Sequence, residues 1–376
     1  MLRRVVRIFR NAAKVRLAAG APIHQQLADL AFFRQAIKAS PLEFYRYRLW
    51  DRTRPIAERL AYLTFGDHRI IEGALHPVDA VNRLNDKIVT AERFRSAGIP
   101  MPRVAGIFDA RSGEAGVITT AGALALLAGQ PWPNGLVIKP NHGQSGKQIM
   151  VFRRVDPVCF TRLDGQQIPV NELAAWLSRQ PYQRWTIEER LLQHPDLANV
   201  APDVLATVRL LTLRAPDGEV SFGPAVWKIP IDLSGVDNFS ANGLAAPIDL
   251  ATGRIGDAVD IHGRKRLASH PVSGVRFSDI TLPGLPAALG LAKRASAVIA
   301  EFATIGWDIA LTADGAYLIE GNAWWSATLL QMPHGRGMMR DSVVSFLQAH
   351  GLVELLDRRE RAEREWQRRF GRPQAR

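Results

Sequence analysis

The stretch IGWDIALTADGAYLIEGN, residues 305–322, decides the fold of this chain. Apolar Trp307, Ile309 and Leu311 alternate with small or polar residues, which is the period of a β-strand. Residues 313–315, Ala-Asp-Gly, are a hairpin-turn signal, and a second apolar run follows them. The pattern therefore predicts two antiparallel strands joined by a tight turn.

This hairpin brings three oxygen-bearing side chains within reach of one another. Asp308 and Glu320 can face each other across the ladder, and Asn322 lies two residues beyond, on the same face as Glu320. Two carboxylates and an amide oxygen form the hard donor set that Mg²⁺ takes when it also holds phosphates. The alternative is an ordinary hairpin with polar residues on its wet face, and the stretch alone leaves both open.

Length and composition indicate a soluble protein of more than one lobe. A chain of 376 residues with 47% hydrophobic and 22% charged residues is expected to form two or three lobes. Cys159 is the only cysteine, so a disulfide framework or a cysteine-rich zinc site within the chain is excluded, which fits a reducing cytoplasm. The net charge of +12 comes without zinc-finger spacing or an RRM signature, and we expect no nucleic-acid partner.

The positive charge is concentrated at the N-terminus, before the first acidic residue, Asp29. The cations there are Arg3, Arg4, Arg7, Arg10, Lys14 and Arg16, and the apolar residues among them are Leu2, Val5, Val6, Phe9, Ala13 and Val15. The apolar set falls roughly along one helical stripe. The favoured interpretation is a helix that packs on its own domain, and the alternative is a weak contact with an anionic membrane surface. Neither a signal peptide nor a membrane span is expected, so we predict a cytoplasmic protein, with peripheral contact at the inner membrane as the alternative.

A lysine and a glycine-rich loop follow one another in the first half of the chain. Residues 136–140 (LVIKP) predict a strand that carries Lys139, residues 141–147 (NHGQSGK) a loop, and residues 148–152 a second strand. Bare backbone N–H groups in such a loop can hold phosphate oxygens, although the spacing is not that of a Walker A loop. A plain flexible turn is the alternative. Further on, Arg209 lies within an apolar strand, residues 206–213 (ATVRLLTL), and must find anionic partners or reach a cleft.

Other segments predict a helical start over residues 1–75, a strand over residues 221–231 and a helix over residues 343–356, followed by a charged helical tail. The lysine, glycine-loop and carboxylate elements in this order resemble the ATP-grasp superfamily and, within it, the sugar-transfer-associated ATP-grasp family. The matching stretches are LNDKIVTAERFRSAGIPMP, VIKPNHGQSGKQI, TIEERLLQHPDL, ATVRLLTL, VDNFSANGLAAPIDLATG, HPVSG and the hairpin itself.

The resemblance implies an α+β fold in which two α+β lobes grip ATP between antiparallel sheets, with an N-terminal helical region in addition. The implied domains are a helical region at 1–77, an N-terminal lobe with the glycine-rich loop at 78–192, a C-terminal lobe with the metal site at 193–345, and a charged helix at 346–376.

The resemblance also assigns expected roles to individual residues. Lys87 and Lys139 match the lysines that hold ATP phosphates, and Glu188 matches the hinge position that faces the adenine amino group. The loop positions are His142, Gly143, Ser145, Gly146 and Lys147, the remaining hinge positions are Glu189, Arg190 and Leu191, and the Mg²⁺ ligands are Asp308, Glu320 and Asn322. Arg209 and Asn238 match positions that face the cleft, and with Lys139 they form the expected catalytic set.

Two positions depart from the related sequences. The D-alanine ligase branch has an arginine two residues before the first metal aspartate, where this chain has Gly306, so Arg209 is expected to supply that charge. The paired glycines after the family's DNF motif appear here as Asn242-Gly243.

By resemblance, the expected activity is that of a ligase. Such enzymes use ATP with Mg²⁺, or Mn²⁺ as a second candidate ion, to convert a carboxylate into an acyl phosphate that an amine attacks. The expected partners are a small-molecule carboxylate and an amine, such as an amino acid, a peptide or an amino sugar, with a role in cell-surface polysaccharide modification. The alternatives are a kinase of the same fold and a non-catalytic ATP-binding protein.

Overall fold

The first quarter of the chain is helical and ends where the first sheet begins. The computed structural model describes residues 2–142, 148–201, 203–231, 243–260, 263 and 266–370, with the side chains of residues 2–5 and 7 left aside. The helices of this part are α1 Leu2–Ala19, α2 Ile23–Ile37, α3 Pro41–Arg46, α4 Ile56–Leu60, α5 Phe65–Leu75, α6 Val78–Leu84 and α7 Lys87–Ser96. Ser40 and Thr64 start α3 and α5 with reciprocal capping boxes, which satisfy backbone N–H groups that a helix start leaves open.

The first sheet is antiparallel and has one face covered by helices. Its strands are β1 Val104–Phe108, β2 Leu136–Pro140, β3 Met150–Val155, β4 Cys159–Arg162, β5 Gln167–Pro169 and β6 Trp185–Glu189, in the order β1-β6-β2-β3-β4-β5. Helices α8 Ala121–Ala128 and α9 Val170–Arg179 pack on Ile138, Phe152 and Ile187. Because side chains alternate along a strand, Lys139 and Glu188 point to the opposite, helix-free face.

The second sheet is larger, and it is also antiparallel. Its strands are β7 Thr207–Arg214, β8 Val220–Phe222, β9 Ala225–Ile229, β10 Leu244–Ile248, β11 Ala258–Asp260, β12 Arg266–Leu267, β13 Thr304–Thr312 and β14 Gly315–Asn322. Its order is β12-β11-β10-β9-β7-β13-β14, and β8 pairs with β7 outside this path. The remaining helices are α10 Pro195–Ala198, α11 Leu285–Val298, α12 Ala327–His334, α13 Asp341–Ala349 and α14 Glu354–Phe370.

The two faces of this second sheet have different coverings. Val208, Trp307 and Ile309 pack with α11 on one face. Leu211 and Val226 lie on the other face, in a core shared with the N-terminal helices, α12, α13 and α14. Arg209 and Lys228 lie two residues from Leu211 and Val226 on their strands, so they project on that same face. The N-terminal helices and the charged residues therefore occupy one side of the sheet.

Two sequence-based predictions of elements were wrong. The strand predicted over residues 221–231 is divided into β8 and β9, because Gly223-Pro224 lies between them and proline has no N–H for the ladder. The helix predicted over residues 343–356 is also divided, since α13 ends at Ala349 and Gly351 has φ of +70°, a left-handed conformation typical of helix ends. The boundaries of the four expected domains stay a prediction.

Helix α1 differs from the single stripe predicted for it. Ile8, Ala12 and Val15 face inward, and Ile8 and Val15 pack on the core. In contrast, Val6 is 57% exposed and Phe9 is 50% exposed. The favoured interpretation, a helix packed on its own domain, thus accounts for only one side of α1. Within the described ranges, none of the helices combines the length and apolar character needed to cross a bilayer.

Candidate active site

The hairpin β13–β14 places Glu320 opposite Asp308 through a bulge. The pairing of the two strands is regular from the turn to the pair Ile309–Leu318. The register then shifts by one residue, so that Asp308 pairs with Glu320 and Gly306 pairs with Asn322. A β-bulge of this kind re-aims side chains, and here it turns Glu320 to the face that carries Asp308. The Asn322 amide donates to the Gly306 carbonyl at 3.3 Å and lies 3.4 Å from Glu320 Oε1, so its own oxygen remains an acceptor.

Asp308 is held by two cations from neighbouring strands. Arg209 lies directly across from it on β7 and donates Nε to Oδ1 at 2.6 Å and Nη2 to Oδ2 at 2.9 Å. Lys228 on β9 donates to Oδ2 at 3.1 Å. Burial alone would raise the pKa of Asp308, but Arg209 and Lys228 outweigh it and hold the pKa well below its usual range. These three residues, called the buried triad below, are fixed as an ionised group.

Gly306 makes room for the arginine of this triad. A Cβ atom at position 306 would lie 2.5 Å from Trp325 Cβ, closer than real Cβ contacts allow, and 3.1 Å from Arg209 Cδ, which is a tight contact. Arg209 also donates to the Trp325 carbonyl at 3.1 Å. Arg209 from the adjacent strand thus lies on the face of Gly306, and its expected role in place of an arginine at position 306 stays a prediction.

The first sheet contributes an ion pair that faces the same cleft. Lys139 on β2 and Glu188 on β6 lie 2.8 Å apart, and both are largely buried. Lys87, the first residue of α7, donates to the Asn141 carbonyl at 3.3 Å. Burial lowers the pKa of Lys87 and so does nearby Lys139, whereas Glu320 and Glu188 oppose the shift. Lys87 therefore interacts with a carboxylate from each of the two sheets. The parts of the site on the first and the second sheet thus line one space.

Charges of both signs line this space among the described side chains. Four cations face four carboxylates, namely Lys87, Lys139, Arg209 and Lys228 against Asp86, Glu188, Asp308 and Glu320. A polyanion with its counter-cations fits a cleft of such mixed charge.

The oxygen donors fit a divalent ion that is shared with a phosphate. An ionised carboxylate has about four lone-pair positions, and Arg209 and Lys228 occupy one on Oδ1 and two on Oδ2 of Asp308. Among the contacts of the described residues one position on Asp308 Oδ1 remains, and Glu320 is paired with Asp308 across the ladder. Across the described ranges no group of three or more His, Cys, Asp or Glu side chains could hold a metal ion. A metal site made of two carboxylates and one amide therefore needs further oxygen atoms from a bound molecule, such as a phosphate, to complete the coordination of the ion.

The hinge residues that were predicted to contact the nucleotide, Glu189, Arg190 and Leu191, have different surroundings in the structure. The Arg190 N–H donates to the Gly135 carbonyl at 3.1 Å, and its side chain reaches the Asn134 and Asp203 carbonyls. Sheet pairing therefore extends one residue past β6 and engages the Arg190 N–H, and the expected contacts of Arg190 and Leu191 with the nucleotide stay a prediction. Glu189 pairs with Arg103 at 3.1 Å, and Leu191 is partly exposed where the hinge continues.

Several predicted residues lie at or beyond the limit of the described chain. His142 is exposed, with its Nε2 3.7 Å from Asp86 Oδ2. Gly143, Ser145, Gly146, Lys147 and Asn238 lie outside the described residues, so their assignments stay predictions.

Two residues of the site had no predicted role. Lys228 is a buried cation in a wholly buried strand, the same signal that singled out Arg209. Asn141 is buried at the end of β2, accepts from the Ile88 N–H at 3.0 Å and donates to Asp86 Oδ1 at 3.1 Å. It connects the start of α7 to β2 and so positions Lys87 beside Lys139; no sequence signal beyond its place after a strand indicated this.

Lysines and carboxylates from two antiparallel sheets line the cleft, and the family that matches this chain is one of ATP-grasp proteins. The family described as sugar-transfer associated ATP-grasp matches residues 69–344, well over half of the chain. The chain belongs to this family.

Solved structures similar to the chain are distant in sequence. N5-carboxyaminoimidazole synthase from Aspergillus clavatus, solved with ADP and 5-aminoimidazole ribonucleotide, has 14% identity and a TM-score of 0.38, with 70% of this chain and 51% of that chain covered. D-Alanine–D-alanine ligase from Bacillus anthracis has 13% identity and a TM-score of 0.40, with 77% and 72% covered. Biotin carboxylase from Campylobacter jejuni has 12% identity and a TM-score of 0.39, with 77% and 48% covered.

The chain spans about half the length of the carboxyaminoimidazole synthases that it resembles. A comparison with curated proteins found no match.

Proposed function

We propose that this protein is an ATP-dependent carboxylate–amine ligase that works with Mg²⁺. The observation that carries the proposal is the buried triad, with Arg209 and Lys228 held on Asp308 at 2.6–3.1 Å, on the face that also carries Glu320 and Asn322. Lys87 and Lys139 from the other sheet add positive charge around the same space. The solved structures with related folds include enzymes named as ligases or crystallised with ADP or ATP, which agrees with this choice.

In this proposal Lys87 and Lys139 position the phosphates of ATP. Each ammonium group has three donors, and only one donor of Lys139 is directed at Glu188, so the others can reach phosphate oxygens. Glu188 orients Lys139 when the nucleotide is absent, and the pair pre-organises the site. The loop with His142, Gly143, Ser145, Gly146 and Lys147 is proposed to close over the phosphates.

Arg209 and Lys228 are proposed to stabilise the charge that develops during phosphoryl transfer. Positioning and charge neutralisation are the main requirements of this reaction, because the protein contributes little covalent chemistry. Asp308 fixes both cations, so they need not reorganise when the charge moves. Glu320, Asn322 and Asp308 would hold Mg²⁺, which would supply positive charge to offset the charge of the phosphates. Asn238 is proposed to face the same cleft.

The proposed reaction has two steps. A substrate carboxylate oxygen attacks the γ-phosphorus of ATP, the bond to the β-phosphate oxygen breaks, and ADP leaves. An amine then attacks the acyl carbon, inorganic phosphate leaves, and the amine nitrogen loses a proton. We propose an amino acid, a peptide or an amino sugar as substrate, in cell-surface polysaccharide modification, and a cytoplasmic location.

Trapping with hydroxylamine tests the proposal. Purified protein is incubated with MgATP, hydroxylamine and a panel of carboxylates, and the acyl hydroxamate, ADP and phosphate are measured together. A ligase gives equal amounts of all three products and transfers ¹⁸O from the labelled carboxylate to phosphate. ADP with a phosphorylated hydroxyl and no hydroxamate would identify a kinase instead.

Glu320→Gln serves as the matched inactive variant, because it preserves the shape of the side chain and removes one charge. The ligase would be refuted if the wild type and Glu320→Gln bound ATP equally well and neither formed ADP with any carboxylate of the panel. That result would indicate a non-catalytic nucleotide-binding protein.

A further inference from the structure

The outer side of helix α1 carries an apolar stripe whose side chains are exposed in the described part of the chain. Val6, Phe9 and Leu17 are 57%, 50% and 88% exposed, and Ala13 is exposed between them. Their spacing of three, four and four residues places all four on one face of the helix. These four residues are called the outer stripe. Ile8, Ala12 and Val15, which attach α1 to the protein, lie on the opposite side.

Cations border the outer stripe on both flanks. At 100° per residue, Arg16 lies on one side of the stripe and Arg10 and Lys14 on the other, and all three are exposed. No acidic residue precedes Asp29, and Asp29 is buried and bound to Arg52 at 2.6 Å. The surface is therefore an apolar line with a basic border and without a counter-charge on the helix.

We propose that the outer stripe binds an anionic phospholipid surface, with α1 lying in the plane of the headgroups. Apolar residues on one face with Lys and Arg at the polar boundary are the features by which amphipathic helices enter this interface. Long basic side chains extend their charges toward headgroup phosphates while their stems lie along the apolar face. This inference concerns where the protein resides and is independent of the reaction proposed above.

Two other occupants account for fewer of these features. A second copy of the chain docked through the same stripe would bring the basic borders of two α1 helices together, and like charges at close range are unfavourable. A nucleic acid would use the cations but would leave Phe9 and Leu17 without a role, since sequence-independent binding depends on phosphate contacts. A lipid surface uses both the apolar and the basic residues.

Vesicle co-sedimentation tests the inference with the full chain. Vesicles of phosphatidylcholine with one quarter phosphatidylglycerol are compared with vesicles of phosphatidylcholine alone, each at 0.1 M and 0.5 M NaCl. We expect binding to the anionic vesicles that weakens at high salt, because exposed charges are screened. Phe9→Ser with Leu17→Ser is expected to weaken binding on the order of 100-fold, from two apolar side chains no longer buried. Replacing Arg10, Lys14 and Arg16 by Gln is expected to weaken it by a similar factor, from about 1 kcal/mol for each charge.

Matched controls are available elsewhere on the surface. Leu126 and Val272 are 79% and 73% exposed, and their double replacement by Ser removes comparable apolar surface away from α1. Arg361, Arg364 and Arg368 on α14 are exposed, and their replacement by Gln changes the net charge by the same amount. Both controls should bind within about threefold of the wild type, since screened charges far from the contact contribute little. Circular dichroism and thermal unfolding verify that every variant is folded.

Three results would overturn the inference. One is no binding, or equal binding to neutral and anionic vesicles. Another is a concentration-dependent dimer in lipid-free sedimentation that Phe9→Ser with Leu17→Ser abolishes, which would assign the stripe to a second copy. The third is a loss of vesicle binding in the α14 arginine control that is as large as the loss in the Arg10, Lys14 and Arg16 variant. Binding would then depend on the net charge of the protein and not on α1.

Discussion

Replacing Asp308 by Asn removes a carboxylate that Arg209 and Lys228 share in the described part of the chain. The side chains of the buried triad are only 3–9% exposed, so the pairing is hardly screened by solvent. Removing one partner of a buried ion pair typically costs about 3–5 kcal/mol. Arg209 keeps its bond to the Trp325 carbonyl at 3.1 Å, which places the expected loss near the lower end, at about 3 kcal/mol. Asn also turns an N–H group toward two cations, where the wild type has only acceptors.

Urea unfolding at pH 7, followed by tryptophan fluorescence, measures this loss. Glu301→Gln is the matched control, because Glu301 pairs with Arg93 across the surface, where the side chains are 28% and 44% exposed. Exposed pairs contribute about 0–1 kcal/mol, so the control should remain close to the wild type. An Asp308→Asn protein within about 0.5 kcal/mol of the wild type would refute the reasoning, since that is the range of ordinary surface substitutions.

The pH dependence of the same difference identifies its source. The pKa of Asp308 is depressed in the folded protein, so its contribution to stability is complete above the unfolded value of about 3.9 and is lost as the pH falls below it. The gap between wild type and Asp308→Asn should therefore stay constant from pH 7 to about pH 4.5 and narrow only below that. A gap that closes between pH 7 and pH 5 would show a carboxylate titrating near neutrality, which contradicts the buried triad.

Three further outcomes follow from the cleft. Lys139→Ala should leave the fold intact and weaken MgATP binding about tenfold or more, from one lost charge-assisted contact, as measured by calorimetry; unchanged affinity would remove Lys139 from the nucleotide site. Glu320→Gln and Asn322→Ala should each reduce ADP release strongly, and the double variant should lose little more, because ligands of one ion act as a unit. Additive losses would show that the two residues do not bind the same ion. Gly306→Ala should destabilise by about 1–3 kcal/mol in thermal unfolding, since its Cβ would meet Trp325 Cβ at 2.5 Å, whereas Gly290→Ala in α11, with 3.8 Å to the nearest atom, should not destabilise.

The hairpin could be predicted because its information is local. Alternation in β13 and the Ala-Asp-Gly turn determine both strands without reference to the rest of the chain. The bulge could not be predicted. With Thr312 paired to Gly315, a regular ladder would set Ile319, not Glu320, against Asp308. The shift after Ile309 corrects the register by one residue, and the expected pairing of the two carboxylates depends on it.

The partners of Asp308 lay beyond local sequence reasoning for a different reason. Arg209 precedes it by 99 residues and Lys228 by 80, and only the sheet order β9-β7-β13 brings the three together. An apolar strand with a single cation signals a buried partner, but it does not say which carboxylate. The same holds for Lys139 and Glu188, which were assigned to separate parts of the nucleotide and form an ion pair in the structure.

Gly306 lies in a closely packed part of the sheet face that carries the buried triad. Gly306 and Asp308 lie two residues apart on β13, so an arginine at 306 would project on the face that carries the buried triad. That volume is filled by Trp325 and the stem of Arg209, as the 2.5 Å and 3.1 Å approaches of an added Cβ show. Arg209 directs its guanidinium to Asp308 with two hydrogen bonds from the neighbouring strand. Gly306, Trp325 and Arg209 are therefore one arrangement, and an arginine introduced at position 306 would require all three to change together.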